Sequence, residues 1–113
     1  MAKYLFIYRS EPMKAPPSPA EMQAALAQWG SWIGKFAASG NMHDGGDGLK
    51  PEGKVVHAGG IVTDGPFIET KEVVAGYSII KADSYDKAAA IAKECPVVLF
   101  GGTVEIRELA GYN

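Results

Sequence analysis

The feature that most constrains this chain is an order of elements that occurs twice: an apolar β-prone run, a capped helical stripe, then another β-prone run. Lys3-Tyr4-Leu5-Phe6-Ile7-Tyr8-Arg9 is aromatic and aliphatic between charged ends, which predicts a strand buried on both faces or nearly so. Prolines at 12, 16 and 17 make Glu11 to Pro17 an extended connector. Ser18-Pro19-Ala20-Glu21 then supplies a hydroxyl cap, a proline at the first helical position and a glutamate at the third, so a helix starts here. Met22, Leu26, Trp29, Ile33 and Phe36 recur every three or four residues and predict the face that packs on a sheet, with Trp32 at its edge.

After a stop at Gly40 or Asn41 the composition turns to Gly, Asp and Lys, which predicts a loop over about Asn41 to Gly53. Gly59-Gly60 separates Val55-Val56-His57-Ala58 from Ile61-Val62-Thr63 in the form of a two-residue hairpin, and a second turn is expected at Asp64-Gly65-Pro66-Phe67. Val73 to Ile80 is rich in Val and Ile and predicts a central strand. Asp83 or Ser84 caps a second helix from Tyr85 to about Glu94, with Ala88, Ile91, Ala92 and Cys95 inward and Pro96 as the stop. Val97 to Phe100 leads into a last strand, Thr103 to Leu109, where Val104 and Ile106 alternate with charges.

This order predicts one α+β domain over residues 1–113: a ferredoxin-like βαββαβ protomer with an extra hairpin and an antiparallel sheet. Two helices cover one face of such a sheet, so a homodimer is expected, the second copy covering the other. Eleven basic against 13 acidic side chains, and a pI near 5.6, argue against a nucleic-acid or membrane-surface partner and for a small molecule. Cys95 is the single cysteine, so no intramolecular disulfide forms, and a reducing, cytoplasmic location is the expectation. No glycine-rich phosphate loop or dinucleotide fingerprint occurs, so no organic cofactor is implied. His43-Asp44-Gly45-Gly46-Asp47 reads as a solvated loop and not as a metal site.

The densest run of polar residues is Thr63-Asp64-Gly65-Pro66-Phe67, followed by Glu69-Thr70-Lys71-Glu72 and then Gly76-Tyr77. This run closely resembles the YCII-related proteins of the DGPF type, and the likeness extends over nearly the whole chain, from Lys3 to Tyr8 and again from Gly102 to Arg107. The resemblance implies a dimeric α+β barrel with a ferredoxin-like protomer. Some DGPF-type members are linked to extracytoplasmic-function sigma factors. The broader group is proposed to use a His/Asp pair and includes a dehydrochlorinase acting on a chlorinated aromatic. Asp64 matches the aspartate of that pair, whereas the connector Ser10 to Pro17 contains no histidine, so only the aspartate is carried over.

Asp64 has two readings. As a catalytic general acid or base, in an enzyme of lyase or isomerase type, it would need burial and a hydrogen-bond partner. As the first residue of a turn its carboxylate would accept backbone N–H bonds. Pro66, Phe67, Glu69, Lys71, Tyr77 and His57 are the candidate ligand-binding residues around it. Glu69 and Lys71 share one face of an extended segment and can either rim a cleft or form a solvated edge. Tyr77 suits core packing with a bonded hydroxyl, and His57 points opposite to Val56, either exposed or facing a dimer cleft in place of the missing histidine. The leading expectation is a dimer that binds a small molecule in a cleft near Asp64; a proton-transferring enzyme and a regulatory or interaction module linked to sigma-factor control are the alternatives.

Overall fold

The computed structural model describes residues 1–11, 17–65 and 73–112. Its elements run β1 (Ala2–Ser10), α1 (Pro19–Ala38), β2 (Met42–Gly48), β3 (Gly53–Val56), β4 (Val62–Gly65), β5 (Val73–Ala82), α2 (Tyr85–Lys93), α3 (Pro96–Leu99) and β6 (Thr103–Glu108). Strands β2, β5, β1 and β6 lie side by side in that order, each pair antiparallel, while β3 and β4 form a hairpin of their own. This is the ferredoxin-like α+β arrangement with the extra hairpin that the element order predicts.

Strict alternation along β1 corrects the expectation of a strand buried on both faces. Tyr4, Phe6 and Tyr8 are buried against the helices, whereas Leu5 and Ile7 between them are half-buried. The reason is that the core holds residues of α1 and α2 on one side only: Trp32, Phe36, Ala88, Ile91 and Ala92 pack with Ile80 and the β1 aromatics. The thinnest extent of the molecule is 19 Å, enough for one sheet and one helix layer, which stack about 10 Å apart.

The stripe of α1 is rotated from its expected phase. Trp32 and Phe36 are its buried residues, Trp29 and Ile33 are half-buried, and Met22 and Leu26 are exposed. Trp32 takes the centre because its indole N–H needs an acceptor and finds the Ile91 carbonyl at 3.1 Å. At 3.6 residues per turn Met22 and Leu26 then stand roughly 80° and 120° around the helix from it. The start of the helix is as expected, with the Glu21 N–H donating to Ser18 Oγ at 3.1 Å and the Ser18 N–H to the Glu21 carboxylate at 3.3 Å.

Strand β2 replaces most of the expected loop. Its Gly- and Asp-rich sequence has little strand preference, so the ladder to β5 holds it, with register shifts between Met42 and Asp44 and again between Asp44 and Asp47. At the second shift Gly46 has φ +68°, and a Cβ there would lie 1.8 Å from the Tyr77 carbonyl oxygen. The bulge turns the Gly45 carbonyl to Ser78 Oγ, which donates to it at 2.7 Å and accepts from the Tyr8 hydroxyl at 2.7 Å. The Tyr8 and Ser78 hydroxyls are thereby both paired.

Two smaller corrections concern turns. The hairpin loop is longer than two residues: the Gly60 N–H closes onto the His57 carbonyl and the His57 N–H onto Ile61, with Gly59 and Gly60 both at positive φ. Pro96 ends α2 but opens the short helix α3 at a position where its missing N–H costs nothing, so Val97 to Leu99 are helical. Gly46→Ala is expected to destabilise the protein by about 2 kcal/mol or more, from backbone overlap and φ strain. Gly48→Ala, where the added methyl meets nothing nearer than 3.7 Å, should stay within about 0.5 kcal/mol in the same urea-unfolding measurement.

Candidate functional site

Asp64 lies in β4, directly opposite Lys54 of β3, so cross-strand pairing delivers their side chains to one face of the hairpin. Its carboxylate accepts from Lys54 Nζ, and the two side chains are 88% and 68% exposed. Among the described residues the carboxylate is bound by a cation across a ladder; the turn expected at Asp64-Gly65-Pro66-Phe67 runs outside the described residues. Val56 and Val62, paired two residues along, share that face and are exposed. An open hollow of about 490 Å³ adjoins the pair, lined among the described residues by Glu52, Gly53, Lys54, Asp64 and Gly65.

His57 is half-buried at the hairpin turn, its Nε2 2.8 Å from Thr63 Oγ1. Alternation puts Thr63 on the face opposite Asp64. The hairpin therefore separates His57 from Asp64, and the two do not form an acid/base pair within one chain. Pro66, Phe67, Glu69 and Lys71 lie outside the described residues.

Tyr77 is on the sheet. It pairs with Ile7 of β1 and Asp47 of β2, which places it on the face away from the helices, half-buried, and not in the core. Around it register assigns Leu5, Ile7 and Ile79 to the same face, a strip of apolar side chains along the two central strands. No described helix packs there.

Charged side chains that the sequence reading leaves unassigned border this strip. Toward β6, Glu105 sits opposite Ile7 and Arg107 opposite Leu5. Glu105 Oε1 accepts from Arg9 Nε at 3.2 Å and Nη2 at 3.1 Å, and Oε2 lies 3.5 Å from Arg107 Nη1. Toward β2, Asp44 pairs with Ile79 and Asp47 with Tyr77. The two aspartates are three positions apart, so a regular strand would send them to opposite faces; the bulge at Gly45 and Gly46 gives both of them partners on the open face. Alternation within β1 and β6 already groups Arg9 with Ile7 and Glu105 with Arg107, whereas nothing in the residue spacing announces the bulge.

The sealed face holds the remaining reactive group. Burial pushes the Cys95 thiol from 9.0 up to about 11, against smaller opposing effects of the Val97 backbone and the Tyr8 hydroxyl. Burial likewise raises the Tyr8 phenol. At neutral pH both are protonated, so Cys95 is packing and not a nucleophile.

With an antiparallel four-stranded sheet backed by helices, the fold is of the ferredoxin-like α+β class. The chain belongs to the YCII-related domain family, whose model matches residues 2–111. A comparison with curated proteins finds no match.

Both Tyr8 and Cys95 hold their protons more tightly folded than unfolded, so their contribution to stability is complete below the unfolded values and is lost as pH rises through the folded ones. For Cys95 that window runs from 9.0 to about 11. Urea midpoints measured across it should fall with pH, and the fall should be shallower in Tyr8→Phe.

Proposed function

We propose that this YCII-related protein acts as a homodimer that binds a small molecule in a cleft between its copies, with the Asp64 hairpin at the rim. The observation that carries the reading is the apolar strip Leu5, Ile7, Tyr77 and Ile79 on the central strands, on the face the helices leave open. Fully burying a side chain of this kind contributes roughly 1.5–3 kcal/mol, so four of them, already half-buried, still leave a large incentive to find cover. The face spans roughly 19 Å across four strands and about 23 Å along seven residues. That is a flat area of about 440 Å², a little over half of the ~800 Å² each partner contributes to a stable interface, and the exposed face of the hairpin adds to it.

The hairpin supports the same reading. A two-stranded hairpin is marginal by itself, and this one shows exposed Val56, Ile61 and Val62. The radius of gyration, 15.5 Å against ~13 Å for a compact chain of this length, fits an arm that reaches past its own core. In a dimer the arm gains an apolar surface to lie on, and Asp64 with Lys54 becomes part of an enclosed site. Asp64 stands exposed and accepts from Lys54, an arrangement that suits holding a polar group of a ligand better than proton transfer in a dry site. Recognition of the DGPF type, with Pro66, Phe67, Glu69 and Lys71 as further rim residues, belongs to this proposal.

Sedimentation equilibrium should find a dimer, and Ile7→Lys, which adds a charge to the middle of the strip, should give a folded monomer. A native monomer at high concentration would overturn the reading. In the dimer, an NMR fragment screen should move resonances of Tyr77 and Asp64 together; fragments that shift only helix residues would speak against the cleft.

A further inference from the structure

The charge on the open sheet face is graded along the strands. Register lays Lys3 opposite Lys81 at one end; Arg107, Leu5, Ile79 and Asp44 form the next row, and Glu105, Ile7, Tyr77 and Asp47 the row after it. Lys3 is exposed and Lys81 half-buried. Two lysines directly opposite each other on neighbouring strands repel, so the sheet gains nothing by placing them there. Among the described residues neither ammonium group has an acidic partner: the ion pairs join Arg9 and Arg107 to Glu105, Lys35 to Glu94 and Lys54 to Asp64. Of the acids near this end, Glu108 and Asp83 act on the Tyr4 phenol on the helix side, and Asp44 has one carboxylate oxygen occupied by the Gly46 N–H at 2.8 Å.

We infer that the Lys3 end of this face holds the anionic head of the ligand, and that the ligand is a small amphipathic acid, a carboxylate or phosphate on an apolar body. The inference deepens the reading that a small molecule binds on this face, and rests on it. Lys3, Lys81 and Arg107 stand against the single carboxylate of Asp44, three cations to one anion, which leaves an excess of two positive charges. Arg107 gives Glu105 only a long contact, 3.5 Å from Nη1, and its side chain is 71% exposed, so its other N–H groups are open to a ligand. Residues diagonal across a strand pair stand roughly 7–8 Å apart, within reach of long side chains, which puts Arg107 in range of a group held by Lys3.

The rest of the ligand follows from the next two rows. Leu5, Ile79, Ile7 and Tyr77 lie directly behind the cations and give an apolar body a bed to rest on. Further along, Asp47 flanks Tyr77, and Arg9 is already engaged by Glu105 through two N–H groups, so a negative head is repelled from that end. The gradient therefore fixes which way round the molecule lies, because like charges reject the reversed pose. A doubly charged phosphate matches the excess in full and a carboxylate matches half of it. The lysine stems pack along the apolar strip while their ammonium groups stay at the mouth of the cleft, where an acid from solution meets them first.

The test is an NMR titration of the native protein with phenyl phosphate, benzoate, the neutral benzamide and inorganic phosphate. Phenyl phosphate and benzoate should move the backbone amides of Lys3, Leu5, Ile79 and Lys81 saturably, and whichever binds more tightly names the head. Benzamide should bind about tenfold or more weaker than benzoate, and inorganic phosphate weaker than phenyl phosphate by a similar factor, since one lacks the charge and the other the body. The double variant Lys3→Gln with Lys81→Gln should lose about tenfold or more in affinity for both acids, while its urea midpoint holds or rises because a repulsion is removed. Equal binding of benzamide and benzoate, or unchanged affinity in the double variant, would overturn the inference and leave the cleft standing. A fall in the urea midpoint would show the two lysines serving the fold and would count against it as well. If none of the four probes moves the strip, the reading of this face as a ligand site falls together with the inference.

Discussion

Three strands of this sheet are tied together at one buried point. The Tyr8 hydroxyl donates to Ser78 Oγ, and Ser78 Oγ donates to the Gly45 carbonyl, so β1, β5 and β2 share a line of hydrogen bonds beneath the helices. A buried hydroxyl or carbonyl left unpaired costs about 1–3 kcal/mol, so the line penalises every register but this one. Because strand side chains alternate, a slip of a single residue would exchange the sealed and open faces. The position of Leu5, Ile7, Tyr77 and Ile79 on the open face, and of both aspartates beside them, follows from that pairing.

The consequence is a sheet with two unlike faces. One carries aromatic side chains interlocked edge to face, Tyr8 with Trp29 at 5.1 Å and Trp32 with Phe36 at 5.8 Å, and needs nothing more. The other carries an apolar strip between an acidic and a basic border. Such a surface is half-buried along its strip and charged along its edges, which suits an interface better than a core. In the proposed dimer a second copy of the same chain covers this face and gives the outlying hairpin with Asp64 something to enclose.

Much of this was legible in the residues. The capping box at Ser18, the strand at Lys3 to Arg9, the Val- and Ile-rich central strand and the small-residue face of α2 each carry their own signal, and their order names the fold. The family likeness rests on Asp64 and its neighbours, and the family match agrees with it. What could not be read were features set by partners distant in sequence. Gly- and Asp-rich β2 is a strand because β5 holds it, Trp32 is central because Ile91 offers a carbonyl, and the two aspartates share a face because Gly46 bends the ladder. Asp64 is bound by Lys54 across a hairpin whose register depends on Gly59 and Gly60. Within one chain His57 and Asp64 do not meet for the same kind of reason, since alternation sends them to opposite faces of the hairpin.

The most direct test of the central claim, that the open face is where a second copy binds, is NMR cross-saturation between deuterated, ¹⁵N-labelled chains and unlabelled chains. The account predicts that saturation passes to the backbone amides of Ile7, Tyr77, Ile79 and Arg107 and leaves those of Trp32 and Ile91 untouched. Transfer confined to the helix side, or transfer to no residue of the sheet, would contradict it.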